Sequence, residues 1–220
     1  DRLRALLSSD ELNRAAGFRF ERDQRRFVVA RGILRTLLGE CLGRDPRELK
    51  FAYGAHGKPA LANEDGLLPF AFNIAHAEGL ALFAITRTGD VGIDLERVRP
   101  IPEWEQIAAA HFPECEIARL AMHSPARREQ EFFKAWVRHE ALLKAHGSGI
   151  GGEISPEFNS SFRLHAWDPA PGFVGALAVD HNLPEIALRT WPTSADNFSA
   201  PAAGCRVRLD PFSESSPNLP

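Results

Sequence analysis

The sequence predicts an α+β protein of two similar subdomains, each a long helix plus a small antiparallel sheet, related by pseudo-two-fold symmetry. The chain has 220 residues, of which 44% are hydrophobic, so it can bury one large core or two small ones. A long amphipathic helix followed by short apolar runs occurs once in each half. Pro100 and Pro102 interrupt the chain between these copies. We therefore expect an N-terminal half over residues 1–100, a C-terminal half over 101–210 and a disordered tail over 211–220.

The elements of the N-terminal half follow from hydrophobic spacing and turn residues. Residues 10–42 are predicted to be largely helical, because Phe27 and several leucines recur at helical spacing while arginines fill the other positions. The stretch YGAHGKP at 53–59 has the composition of a turn. Three short apolar or alternating runs follow and are predicted to form an antiparallel meander: residues 70–77, 80–86 and 91–96.

The C-terminal half repeats this order in outline. Residues 128–147 are predicted to be a helix that ends at Gly147, because glycine commonly follows the last helical turn. Strands are predicted at 172–179, 185–191 and 205–209. Superposing the two long helices aligns Phe27, Arg31, Arg35 and Leu38 with Phe132, Trp136, Glu140 and Leu143, a spacing that any two amphipathic helices can share.

Composition restricts the classes of function. The net charge is −3, so no overall basic field attracts nucleic acid or an acidic membrane, and any phosphate site must come from a local cluster. The three cysteines are too far apart and odd in number for a disulfide framework or a zinc site, which favours a reducing, cytoplasmic setting. No apolar run approaches the ~20 residues that a membrane span needs, and no basic-then-apolar leader is visible.

Two acids stand close together in the stretch VGIDLE. In a strand, Val91, Ile93 and Leu95 point to one face while Asp94 and Glu96 point to the other. Taken alone, this pattern is equally compatible with a strand whose polar face is solvated.

A third acid lies on the second long helix. Trp136, Glu140 and Lys144 are spaced four residues apart and share one stripe, which alone would favour a surface Glu–Lys pair beside a half-buried tryptophan. If Glu140 meets Asp94 and Glu96, three carboxylates converge from a strand and a helix. Such an oxygen-only site suits Mg²⁺.

Four short motifs in order closely resemble the 4′-phosphopantetheinyl transferase superfamily, Sfp-like type. They are GKP at 57–59, FNIAHA at 72–77, VGIDLE at 91–96 and WVRHEALLKAHG at 136–147. The family motifs run GKP, FN-x-SHS, (V/I)GID-x-E and W-x-x-KEA-x-x-K. Each motif is modest by itself, but their order over about residues 19–190 is specific.

The resemblance implies an enzyme that transfers the phosphopantetheine arm of coenzyme A to a serine of an apo carrier protein and releases 3′,5′-ADP. It implies Mg²⁺ as the cofactor and coenzyme A as the co-substrate, held in a cleft between the halves. The expected partner is an acidic, helical carrier domain of fatty acid, polyketide or nonribosomal peptide synthesis. The enzyme itself is expected to be a cytoplasmic monomer, a single-chain pseudodimer.

The resemblance also assigns roles to residues. Asp94, Glu96 and Glu140 match the metal ligands, Glu140 also matches the general base, and Lys144 matches a catalytic, phosphate-binding lysine. Further coenzyme A contacts are implied, more loosely for the two arginines, at Arg31, Arg35, Lys58, His76 and His139.

The motifs depart from the family at three positions. Ala75 and Ala77 replace the two serines of SHS, and His139 replaces the lysine of KEA. The lost hydroxyl and the lost permanent charge leave a non-catalytic coenzyme A-binding module as the main alternative to the enzyme. A Mg²⁺-dependent phosphohydrolase would also use acids together with basic groups.

Overall fold

A computed structural model describes residues 2–54, 58–62, 70–147, 156–181, 186–188 and 190. The N-terminal part holds two helices, α1 (Ser9–Ala16) and α2 (Glu21–Leu42). A capping box joins Ser8 and Glu11 at the start of α1, and Gly43 ends α2 in the left-handed conformation. The helical prediction for residues 10–42 is confirmed, with one interruption between the two helices.

Two antiparallel strand pairs follow in the N-terminal half. β1 (Phe51–Tyr53) pairs with β2 (Pro59–Leu61), and β3 (Ala71–Ala77) pairs with β4 (Leu80–Thr86). The predicted strands at 70–77 and 80–86 are therefore confirmed. Residues 55–57 of the predicted turn lie outside the described residues.

The C-terminal part is built around one long helix. α3 (Trp104–His111) and α4 (Glu114–Ala121) precede α5 (Pro125–His146), which ends at Gly147 in the left-handed conformation, as predicted. The short α6 (Pro156–Ser160) leads into β6 (Phe162–Trp167) and β7 (Phe173–Asp180).

The strand β5 (Val91–Arg97), which lies between β4 and α3 in the chain, joins the two predicted halves. It pairs along its whole length with β7, which also pairs with β6, so the sheet order is β5-β7-β6. The predicted meander is thus wrong in its third strand. Its backbone finds a full-length antiparallel partner in β7, while the link to β3 is a side chain: Ile93 N donates to Asn73 Oδ1 over 2.9 Å.

Three apolar clusters hold these layers together. One lies between α5 and one face of the β5-β7-β6 sheet and includes Phe132, Val137 and Ala176. A second lies on the opposite face of that sheet, against β3 and β4. The third lies between α2 and the β3–β4 pair. The protein therefore stacks helix, sheet, sheet and helix, with β5 buried near the centre.

The α+β class is confirmed by the described helices and three small antiparallel sheets. The predicted strand at 185–191 is wrong for residues 186–188 and 190, which have no strand structure. The predicted strand at 205–209 and the tail at 211–220 lie outside the described residues. The halves at 1–100 and 101–210 and their pseudo-symmetry stay predictions. None of the helices described here is long and apolar enough to cross a membrane.

Candidate functional site

Helix α5 packs so closely on β5 that their backbones are in contact, and Gly92 makes this possible. A Cβ atom at Gly92 would lie 1.9 Å from the carbonyl oxygen of Ala141 and 2.4 Å from the amide nitrogen of Ala145. No side chain fits there, so the glycine of VGIDLE allows the strand and helix to touch. This contact brings Asp94, two residues further along β5, beside the last turns of α5.

The strand that carries the acids is not a solvated edge. Val91, Ile93 and Leu95 pack with Ala75 and other residues on the β3–β4 side. The opposite face meets α5, and Asp94 is only 6% exposed. The solvent-facing interpretation of VGIDLE is therefore wrong for Asp94, because both faces of the strand are covered.

Asp94 meets Lys144 across this interface. Lys144 Nζ lies 2.5 Å from Asp94 Oδ1. The other carboxylate oxygen, Asp94 Oδ2, is buried and has no hydrogen-bond partner. Lys144 thus pairs with one oxygen of this carboxylate, and the other oxygen remains without a hydrogen-bond partner.

Glu140 lies one helical turn before Lys144 and is 7% exposed. Its Oε1 atom is also buried without a hydrogen-bond partner. Burial raises the pKa of Glu140, the charges of Asp94 and Glu96 raise it further, and Lys144 opposes them. Glu140 is therefore close enough to the other two predicted acids to be repelled by both.

Glu96 is the most accessible of the three acids. Arg99 Nη1 donates to Glu96 Oε2 over 3.0 Å, and the Arg99 guanidinium lies 4.9 Å from the ring centroid of Phe133 on α5. This half-exposed pair holds the end of β5 against the helix.

The donor set fits a hard divalent cation. Among the described residues, no group of three or more Asp, Glu, His or Cys side chains has the geometry of a metal site. Asp94 on β5 and Glu140 on α5 nevertheless each keep one buried carboxylate oxygen without a hydrogen-bond partner, and the charge of Asp94 is close enough to raise the pKa of Glu140. Carboxylate oxygens are the protein ligands that Mg²⁺ takes, and a cation between them would relieve the repulsion that raises the pKa of Glu140.

Lys58 reaches the same region from the N-terminal half, and the contacts of its ammonium group among the described residues are with backbone carbonyls rather than with an acid. Its Nζ donates to the backbone carbonyl of Lys144 and, over 3.3 Å, to that of Ala145. Burial lowers the pKa of Lys58, and the charge of Asp90 opposes this. His76 is exposed and points to the opposite face of β3 from Asn73.

The two predicted arginines differ in their surroundings. Arg35 is 1% exposed, and its guanidinium nitrogens donate to Ser8 Oγ, Glu11 Oε2 and the carbonyls of Pro46 and Leu49. These bonds favour a structural role for Arg35 over a contact with coenzyme A.

Arg31 is also buried, at 6% exposed, but its guanidinium is less fully paired than that of Arg35. Its Nε lies 3.4 Å from Glu11 Oε1, while its Nη1 is buried without a hydrogen-bond partner. The guanidinium groups of Arg14 and Arg31 lie 5.6 and 5.9 Å from the ring centroid of Tyr53. The sequence did not indicate Arg14 or Tyr53 as members of a basic site. Nothing in the local pattern shows that a residue of α1 contacts a residue of β1.

His139, which was predicted to contact coenzyme A, lies in an aromatic cluster. Its ring centroid is 5.9 Å from that of His111 and 6.2 Å from that of Phe112. Burial, and then the charge of His111, lower the pKa of His139. A neutral ring in an aromatic cluster therefore replaces a permanent positive charge.

Comparisons with known proteins agree with the motifs. Residues 90–196 match the model of the 4′-phosphopantetheinyl transferase superfamily, and residues 2–87 match the model of the N-terminal part of 4′-phosphopantetheinyl transferase.

Three curated relatives show how far the similarity extends. The chain is 44% identical to 4′-phosphopantetheinyl transferase HetI of Nostoc over 151 residues, which are 67% of this chain and 62% of that protein. It is 35% identical over 151 residues to a putative 4′-phosphopantetheinyl transferase of Synechocystis, which are 69% of this chain and 61% of that protein. It is 28% identical over 204 residues to 4′-phosphopantetheinyl transferase psf-1 of Bacillus pumilus, which are 90% of this chain and 84% of that protein. The chain thus spans about three fifths of the length of the first two.

Proposed function

Because the chain belongs to the 4′-phosphopantetheinyl transferase superfamily, as its motifs predict, we propose that it transfers the phosphopantetheine arm of coenzyme A to a serine of an apo carrier protein. The observation that carries the proposal is the pair of unsatisfied carboxylate oxygens of Asp94 and Glu140, with Lys144 beside them. The Sfp-like type, the cytoplasmic location and the monomeric state stay predictions.

The proposed reaction needs a base beside a phosphate site. The serine oxygen bonds to the phosphorus that carries pantetheine, the bond from that phosphorus to the 3′,5′-ADP leaving group breaks, and the hydroxyl proton passes to Glu140. The carboxylate of Glu140 has an oxygen, Oε1, that no hydrogen bond occupies and that could accept this proton. Lys144 would turn from Asp94 towards the phosphate oxygens.

Asp94, Glu96 and Glu140 are the residues that would hold Mg²⁺. When bound, Mg²⁺ supplies positive charge that stabilises the pyrophosphate as negative charge moves to the leaving group. The three carboxylates come from β5 and α5, whose backbones touch at Gly92, so their spacing is fixed by rigid elements.

Basic groups outside the acid cluster would hold the remainder of coenzyme A. Arg14 and Arg31 flank Tyr53, and the acid beside Arg31, Glu11, is paired with Arg35 as well. This surplus of positive charge suits a phosphate monoester. We propose that it supplements His76, which is exposed on β3.

Mass spectrometry tests the proposal directly. The protein is incubated with coenzyme A, Mg²⁺ and a panel of apo carrier proteins, and the carriers are weighed before and after. We expect the mass of one phosphopantetheine group to be added to at least one carrier, together with release of 3′,5′-ADP. Phosphate release without any carrier would instead indicate a phosphohydrolase.

A non-catalytic coenzyme A-binding module is the second candidate. The observation that favours it is His139, which lies in an aromatic cluster and contributes no permanent charge. This candidate predicts that coenzyme A binds while no carrier gains mass. The buried acids argue against it, because unsatisfied carboxylates destabilise a protein that has no use for them.

A further inference from the structure

We propose that Lys58 is a positioning residue that fixes the last turn of α5, and through it Lys144, rather than a ligand of coenzyme A. The inference rests on the proposed function for its effect on turnover, and on the described contacts for its effect on the helix. Lys58 belongs to the N-terminal half, so this contact would link the GKP segment to the acid site.

The end of α5 requires hydrogen-bond donors from outside the helix. The last carbonyl groups of a helix have no partner within it. At α5, Gly147 N donates to the carbonyl of Leu143 over 2.8 Å. The following carbonyls, of Lys144 and Ala145, accept from Lys58 Nζ. A cation at this position also interacts favourably with the negative end of the helix dipole.

The surroundings of Lys58 direct its ammonium group towards α5. Gly54 N donates to the Lys58 carbonyl over 3.0 Å, which closes the segment between β1 and β2. Pro59, the first residue of β2, restricts the backbone on the other side. The ammonium is partly buried, so the two helix carbonyls replace water that it has lost.

The contact acts on Lys144 at the level of its backbone. The carbonyl of Lys144 accepts from Lys58, and the side chain of Lys144 lies 2.5 Å from Asp94. If the last turn loosens, the Lys144 ammonium moves relative to both the acids and the phosphate. Small displacements of a catalytic group lower the rate far more than they weaken substrate binding elsewhere.

Two substitutions separate positioning from ligand binding. Lys58→Met removes the N–H donors but keeps most of the length of the side chain. Lys58→Arg keeps N–H donors that can reach the same carbonyls. Lys134→Met is the control. Lys134 lies on α5, the helix that Lys58 contacts, but its ammonium pairs with Glu131 and not with the acids of the site. Each variant is assayed for kcat, for coenzyme A affinity by calorimetry, and for amide hydrogen exchange over residues 141–147.

For Lys58→Met we expect kcat to fall by about tenfold or more, coenzyme A affinity to stay within about twofold, and hydrogen exchange at the end of α5 to accelerate. Lys58→Arg should restore all three values most of the way, and Lys134→Met should match the wild type.

The proposal is overturned if Lys58→Met weakens coenzyme A binding by about tenfold at unchanged kcat, since that is the behaviour of a ligand. It is also overturned if hydrogen exchange at residues 141–147 does not change. Hydrogen exchange needs no carrier protein, so failure of the wild type to modify any carrier would count against the proposed function alone.

Discussion

Glu140 is the residue on which the proposed chemistry depends most directly. We expect Glu140→Gln to abolish transfer and to leave coenzyme A affinity within about threefold, because the amide cannot accept the serine proton but has the same shape. Mass spectrometry of the carrier and calorimetry with coenzyme A measure the two effects. Glu131→Gln is the control, since Glu131 lies on the same helix and pairs with Arg119 and Lys134. Normal transfer by Glu140→Gln would show that the base is another group.

Arg35 was predicted to contact coenzyme A, and its surroundings change what its removal should do. Arg35→Ala would leave Glu11, which is 1% exposed, without the partner 2.7 Å from its Oε2. Breaking a buried ion pair from one side costs about 3–5 kcal/mol. We therefore expect a loss of that size in the free energy of unfolding, measured with urea.

Arg25→Ala provides the comparison for Arg35, because Arg25 lies on the same helix and is exposed. It should change the free energy of unfolding by no more than about 0.5 kcal/mol. If Arg35→Ala instead remains as stable as Arg25→Ala and loses coenzyme A affinity, the structural role assigned to Arg35 is wrong.

Between elements, the decisive contact is that of β5 with α5. Gly92→Ala would place a Cβ atom 1.9 Å from a backbone oxygen of the helix, and backbone cannot move aside as a side chain can. We expect a loss of about 3 kcal/mol or more in the free energy of unfolding, together with loss of transfer. Thermal and urea unfolding measure the first effect, and the carrier assay measures the second.

Gly175→Ala is a matched control on the neighbouring strand β7. Its Cβ atom would first meet a flexible side-chain carbon of Leu82 at 3.0 Å, so the structure can adjust. We expect its loss of stability to stay below about 1.5 kcal/mol. Equal losses at the two glycines would contradict the close approach at Gly92.

Hydrophobic periodicity was sufficient to predict the long helices and the strands at 70–77, 80–86 and 172–179. It could not predict that β5 pairs with β7, because both strands are buried on two faces and their pairing spans some eighty residues. Local pattern contains no information on such a partner. For the same reason it could not distinguish Arg35, which lies in a buried network, from the exposed arginines of α2.

Across the whole molecule, the acid site depends on contacts between distant segments of the chain. β5 supplies Asp94 and Glu96 from the first half, yet its backbone is paired with β7 from the second. Lys58 reaches α5 from the first half as well. The site is therefore a property of the assembled chain, and its binding of a cation should be visible as stabilisation of the whole fold.

Mg²⁺ should raise the Tm of the wild type even without coenzyme A, because it would neutralise Glu140 together with the two acids that repel it in the folded state, whereas Glu140 is far along the chain from Asp94 and Glu96 in the unfolded state. At about 100 times the dissociation constant the gain is about 2.7 kcal/mol. Asp94→Asn and Glu140→Gln should each abolish most of this shift, whereas Asp45→Asn, at an exposed acid paired with Arg47, should keep it. Lys144→Met should enlarge the shift, since the lysine ammonium competes with the cation for Asp94. An equal shift in all four variants, measured by differential scanning fluorimetry, would place Mg²⁺ at another site.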